Sequence, residues 1–330
     1  NDRALFGDIF DSALQVMEEN LAAALPQCYD AIGLLLMIRI NHEHQIIMQR
    51  RRVPCLDNYL DKVNIMVWPR LKVVVDLHVE SLQQAQVRTL WGGGEELHAH
   101  YVARRYAEFT ASLLQLNADY GESQVDAIIE RLRGAACQLL LRLSALYVDS
   151  RKQLLFLINN YDMVLTVLKE AGLGSEGGMD RTNTYSHFEE LLSAQTYMFV
   201  EEELASHFRP LIQFVKKAEA VQQQQQQGRG EAGEALTVSI GEARALVRDF
   251  ADRWKLTIEQ MHKDAITNFG NLQRGMEILQ RTLSQLLIYY TRLTGSEGVL
   301  MKCGPEGAAL CKEAISHPAF IYEIKNKLKL

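Results

Sequence analysis

At 330 residues the chain is long for a single hydrophobic core and suits two domains or one elongated array. Apolar residues make up 48% and charged residues 23%, the balance of a folded soluble protein, and the formal charge of −6 argues against a general nucleic-acid binder. The longest unbroken apolar run, 31–38 with Gly33 inside it, falls far short of the ~20 residues that a membrane helix needs.

Five scattered cysteines, Cys28, Cys55, Cys137, Cys303 and Cys311, form no Cys-x-x-Cys pair and predict free buried thiols in a reducing compartment. No Asn-x-Ser/Thr sequon occurs, which agrees with a cytosolic address. A chain that opens at Asn1 rather than at methionine is expected to be a fragment. Only six prolines occur, and 71–209 and 211–304 contain none, which favours helices over a many-turned β architecture.

Phe6, Phe10, Ala13, Met17 and Leu21 predict a helix over 2–25, with Asp2 as its N-cap and Pro26 ending or kinking it. A second helix, very apolar through Met37, is expected over 29–48. Arg50-Arg51-Arg52-Val53-Pro54 then reads as a loop, since the residue before proline avoids the helical region. Leu56, Tyr59, Leu60, Val63, Met66 and Val67 start a third helix. Its spacing resumes at Leu71, Val74, Val75 and Val79, so Pro69 should kink it rather than end it. Gly92-Gly93-Gly94 is a break. A fourth helix follows over 97–116, ended by Tyr120-Gly121.

From Val125 the apolar steps run on through Leu143, Leu146 and Ser150 to Leu154, Ile158, Tyr161, Leu165 and Leu168. A mean step of about 3.6 residues predicts one unbroken helix of about 50 residues, or about 75 Å. Asp149-Ser150-Arg151-Lys152 interrupts the apolar face as a local surface or hinge. The distal half, 153–171, is apolar nearly all round, so protein must cover most of its sides; it reads as the central helix of a bundle. Asn159, Asn160 and Asp162 are polar groups on that helix. They are expected to hydrogen-bond to neighbouring helices or loops and so fix the bundle's register.

Four glycines within 172–178 end this helix. Residues 184–219 are expected to be helical, with Pro210 kinking the segment or starting a new helix. Gln222–Gln227, Gly228-Arg229-Gly230 and Gly233 predict a solvated low-complexity loop over 222–235. Ser239 and Glu242 form a capping box for the longest stripe, sixteen apolar positions from Ile240 to Leu293, which Gly270 and Gly275 weaken locally. Gly295 ends it, and short helices follow Pro305 and Pro318. The expected domains are 1–172 and 180–330, both helical bundles.

Chemistry-bearing motifs are scarce. No Gly-x-x-x-x-Gly-Lys-Ser/Thr loop, Gly-x-Ser-x-Gly elbow or His-Glu-x-x-His pair occurs, so no catalytic, cofactor or metal residue is assigned. Two Glu-x-x-His pairs, Glu95–His98 and Glu259–His262, would need glutamates from two further helices to build a di-iron site, and chance spacing accounts for both. His42, Glu43 and His44 read as a solvated helix end. Arg50, Arg51 and Arg52, and the tail residues Lys325, Lys327 and Lys329, are solvated segments or contacts for an acidic partner or lipid headgroups. Of Arg104 and Arg105, one is expected near the buried face, paired with a carboxylate.

Three segments carry a family resemblance: Arg51-Arg52-Val53-Pro54 leading into 56–69, His100 through Phe109 (HYVARRYAEF, with Arg104, Arg105 and Tyr106), and above all Arg151-Lys152-Gln153 through Asn159-Asn160-Tyr161-Asp162. In order and spacing, over about 50–330, they resemble the C-terminal region of the vacuolar protein sorting-associated protein 52 family. The glutamine insert and the 172–178 loop depart from the family pattern. The resemblance implies an all-α rod of stacked antiparallel helical bundles, of the type shared by multisubunit tethering complexes. It implies a non-catalytic subunit of the Golgi-associated retrograde protein complex and the endosome-associated recycling complex, without cofactors, capturing endosome-derived vesicles at the trans-Golgi network. The implied partners are sister subunits, Rab- or Arf-like GTPases and SNARE proteins, with peripheral membrane association through them. The residues alone leave two alternatives: an unrelated helical scaffold or adaptor, and a bundle metalloenzyme.

Overall fold

The apolar spacings resolve into helices in a computed structural model that describes residues 2–91, 97–174, 182–226 and 240–328; no strand occurs among the described residues. In chain order the helices are α1 (Asp2–Ala24), α2 (Ala31–Arg51), α3 (Asp57–Gln83), α4 (Val87–Trp91), α5 (Tyr101–Asn117), α6 (Ser123–Ser144), α7 (Ser150–Glu170), α8 (Thr184–Gln226), α9 (Ile240–Asn268), α10 (Leu272–Thr294), α11 (Pro305–Glu313) and α12 (His317–Lys327). The all-α class is the one expected. Several starts are sealed by local side chains: Asp30 accepts the Gly33 N–H at 2.9 Å, and His100 Nδ1 accepts the Val102 N–H at 3.3 Å.

The chain forms two compact units. One comprises Asn1–Glu95, His100–Leu146 and Met163–Glu190; the other comprises Glu96–Ala99, Tyr147–Asp162 and Leu191–Leu330. This division differs from the one expected at 172–180, because α7 gives its first turns to the second unit and its last turns to the first.

In the first unit α2 packs on α3, α3 on α6, and α5 on both α6 and α2. Leu34, Leu35, Val67, Leu71, Val75, Ala107, Leu113, Ile129 and Leu139 are all but fully buried there. Arg39 is buried among them. It donates to Leu116 O and Asn117 Oδ1, each at 2.9 Å, and faces Glu122 at 3.2 Å, tying α2 to the α5–α6 turn. Cys137 sits on α6, and burial pushes its thiol up to about 11. At pH 8 only about one such thiol in a thousand is ionised. Alkylation by iodoacetamide, followed by mass spectrometry, should therefore label half-buried Cys137 much more slowly than it does once the fold is disrupted by denaturant.

In the second unit α9 and α10 form a hairpin against which α8, α11 and α12 pack. Its centre is aromatic: the Phe250 and Tyr290 rings stack at 4.7 Å, and Phe320 meets Tyr290 at 5.3 Å. Tyr290 donates to Ile315 O at 2.9 Å, and burial pushes its phenol up to about 12.

The helix boundaries differ from expectation in physically informative ways. The helix of about 50 residues is two helices, α6 and α7. Asp149 competes for the chain at the break: its side chain accepts the Arg151 N–H at 3.0 Å, while Gln153 donates to Tyr147 O at 2.7 Å. The sixteen-position stripe is likewise two helices, broken at 269–271. Asn271 caps α10 by accepting from the N–H groups of Gln273 at 3.1 Å and Arg274 at 3.4 Å.

Helix α3 does pass through Pro69. Helix α8 passes Pro210, with a non-helical Phe208 (φ −127°, ψ 25°) at the break, and continues through Gln226, so most of the glutamine run is helical rather than looped. Helix α5 starts at Tyr101, later than expected, and α4 was not foreseen. Asp2 lies within α1 rather than before it. Gly92–Gly94, Glu95, 175–178, Ser239 and the rest of the 222–235 insert lie outside the described residues.

At Gly275 the two arms of the hairpin approach closely. A Cβ there would lie 2.4 Å from Ala265 O and 3.2 Å from Phe269. Gly275→Ala should therefore cost about 1–3 kcal/mol despite the ~1 kcal/mol gain in helix propensity, which urea unfolding would show.

Candidate functional site

The first three turns of α7 carry the motif that the sequence singled out, and in the second unit they meet a loop and two helices. Asn159 is buried. Its Nδ2 donates to Leu97 O at 2.8 Å and to Asn268 O at 2.9 Å, and its Oδ1 accepts the Gly270 N–H at 3.1 Å. The partners fix the amide's orientation, since its nitrogen faces two carbonyls and its oxygen an N–H. Asp162, also buried, accepts from Asn271 Nδ2 at 3.0 Å and from Arg274 Nε at 2.7 Å. Arg274 extends the chain of bonds to Glu277 at 2.6 Å. Asn160 is fully buried and bonds Phe156 O of its own helix at 2.7 Å; Tyr161 is fully buried beside it. Together Asn159 and Asp162 clamp the α9–α10 turn.

About two turns earlier, Arg151 joins three helices. Its Nε lies 2.6 Å from Glu203 Oε2, and its Nη2 lies 3.1 Å from Glu203 Oε1 and 2.9 Å from Asp264. Burial alone would lower the guanidinium's pKa, but Glu203 and Asp264 outweigh it and the net shift is upward. His207 Nε2 stands 3.6 Å from Glu203. Sequence reasoning marked 149–152 as a surface or hinge and missed this cluster. The available clue was an acidic Glu203 placed among Val200, Leu204 and Phe208, which are buried on the same helix.

The other candidates fall elsewhere. Tyr106 is buried in the first unit, with its ring 5.8 Å from Phe188. Arg104 and Arg105 are both exposed, against the expectation that one faces the core: Ala103, Tyr106 and Ala107 occupy that face. Arg104 pairs with Glu108 one turn on, at 2.9 Å, and the Arg105 guanidinium lies over the Tyr101 ring at 5.1 Å.

Arg50 and Arg51 occupy the last turn of α2, where cations face the free carbonyls, and Arg52 is its left-handed cap (φ 56°); all three are exposed. Arg50 and Arg51 are thus helical rather than in the loop the sequence suggested, and Arg52 and Val53 form the turn after α2. Lys325 is exposed, Lys327 is half-buried and pairs with Glu259, and Lys329 lies outside the described residues. That pairing takes up Glu259 of the second Glu-x-x-His pair. Glu43 accepts from Tyr120 at 2.7 Å. Among the described residues no three His, Cys, Asp or Glu side chains gather where they could hold a metal ion, and no helix is long and apolar enough to cross a membrane.

The family model described as Vps52, C-terminal, matches residues 1–200, which takes in the first helices and all three motifs. The chain is 47% identical over 328 residues to vacuolar protein sorting-associated protein 52 A of Arabidopsis thaliana, covering 99% of this chain and 44% of that protein. It is 34% identical over 290 residues to the Homo sapiens homolog, covering 87% of this chain and 38% of the homolog, and 27% identical over 300 residues to the Caenorhabditis elegans homolog. The chain thus spans less than half the length of the curated relatives it matches. A family match over more than half of the chain, together with 47% identity to a relative along 99% of it, places this protein in the Vps52 family.

Proposed function

We propose that this chain is the C-terminal helical part of a non-catalytic subunit of a vesicle tethering complex serving retrograde transport from endosomes to the trans-Golgi network. The observation that carries this reading is the family model's match to residues 1–200 together with the 47% identity to a Vps52 relative along 99% of the chain. The geometry of α7 supports it. The motif's polar groups are engaged with backbone and charged partners inside the second unit, as in a scaffold whose shape is its working property. In this reading sister subunits are the permanent partners. Rab- or Arf-like GTPases and SNARE proteins bind transiently, and the protein sits peripherally on trans-Golgi and endosomal membranes through them. Affinity purification of the tagged full-length protein from cytosol, with quantitative mass spectrometry, tests the proposal. Sister tethering subunits should appear at near-equal abundance. Full-length protein recovered without any of them would overturn it.

A further inference from the structure

We propose that the outer face of α1 is a docking surface for a basic amphipathic helix of a partner protein. The sequence marks Phe6, Phe10, Ala13, Met17 and Leu21 as one helical face, and the helix turns much of its other apolar surface outward as well. Leu5 is 62% exposed, Ile9 58%, Val16 55%, Met17 54% and Phe10 46%. Phe10 rests its ring on Phe6 at 4.8 Å, while more than half of the surface of Leu5, Ile9, Val16 and Met17 is left uncovered by the described residues. Leu5, Ile9 and Val16 share one face of the helix, since their spacings are sums of three and four, and Phe10 and Met17 flank that face on one side. Isolated exposed apolar residues are ordinary, but three on one face over about three turns, flanked by two more, mark a contact surface.

Charge says what covers it. From Leu5 to Ala24 the helix has four acids, Asp8, Asp11, Glu18 and Glu19, and no basic residue. Glu18 is taken by Lys62 of α3 at 3.1 Å, on the side where α1 meets its own unit. Asp8 and Glu19 stand exposed, each three residues after an apolar position of the stripe, and so edge it on the open side. A second copy of this helix would bring the same acids and no base to the contact. An anionic membrane surface would be repelled as well. A helix with leucine-like residues on one face and lysine or arginine beside them matches both the apolar stripe and its edge.

The test uses a fluorescein-labelled synthetic helix with leucines at helical spacing and lysines elsewhere, titrated by anisotropy against the purified 330-residue chain. A scrambled isomer of the same composition is the control. The patterned peptide should bind and the scrambled one should not. Ile9→Ser with Val16→Ser should weaken binding about tenfold or more, from the lost burial of two apolar side chains. Asp8→Lys with Glu19→Lys, which leaves the apolar stripe intact, should weaken it as well. Both variants should keep the helical circular dichroism and melting temperature of the parent, because the altered side chains are exposed. Equal binding of the scrambled peptide, or unchanged binding by either variant, overturns the proposal. So does self-association of the chain that Ile9→Ser with Val16→Ser abolishes, which would make the occupant a second copy. Association with anionic vesicles that the same variant abolishes would overturn it in favour of a membrane.

Discussion

Arg151→Met should lower stability by about 3–5 kcal/mol, and Glu203→Leu added to it should recover most of that loss. The reason lies in where the charges stand. The Glu203 side chain is 4% exposed and is held by two guanidinium nitrogens of Arg151, at 2.6 and 3.1 Å. Removing the arginine strands a carboxylate that water does not reach. Removing both partners leaves an apolar site among Phe199, Met261 and Leu279, which line the same small cavity. Asp264, at 22% exposed, can turn to solvent. Urea unfolding of the two single variants and the double variant measures the coupling directly. A double variant as unstable as Arg151→Met alone would show that the cluster stabilises through Asp264 or through packing instead.

Asn159→Leu should cost about 2–4 kcal/mol, although leucine nearly preserves the volume. Three backbone groups lose their partner at once: the carbonyls of Leu97 and Asn268 and the N–H of Gly270. Asn159→Asp should fare no better at neutral pH. It keeps the shape but turns an acceptor oxygen toward two carbonyl oxygens, where the amide nitrogen donates. Thermal unfolding of the two variants beside the parent decides the matter. A loss below 0.5 kcal/mol, the usual range of a surface substitution, would mean that the turn does not depend on this side chain.

Helix content and much of the core were legible because the apolar residues recur at steps of three and four: Val67, Leu71, Val74 and Val75 are buried as the spacing of α3 requires. Helix ends were not legible where the spacing continues across a turn. Phe269, Leu272 and Met276 keep helical steps through the α9–α10 break, because both arms of a hairpin bury their faces in one core. The break was written in Gly270-Asn271, a flexible residue before a capping one, yet its strongest partner is remote in sequence. The exposure of α1 was not legible for a related reason. Periodicity reveals that a helix has an apolar face and is silent on what lies against it. The roles of Asn159 and Asp162 were foreseen in kind, as buried groups needing partners, while the identity of those partners required the fold.

The seal on the α9–α10 turn also sets an order of events during synthesis. Asn159 and Gly270 are separated by 111 residues, and the ribosome makes the former first. At about 5–20 residues per second, the motif on α7 waits on the order of ten seconds before its client emerges. During that interval Asn159, Asp162 and Arg151 stay hydrated, and an apolar helix stands beside them without its cover. The nascent chain is therefore most exposed to premature association while the segment between 171 and 268 is being made, which is the window in which a chaperone would find it.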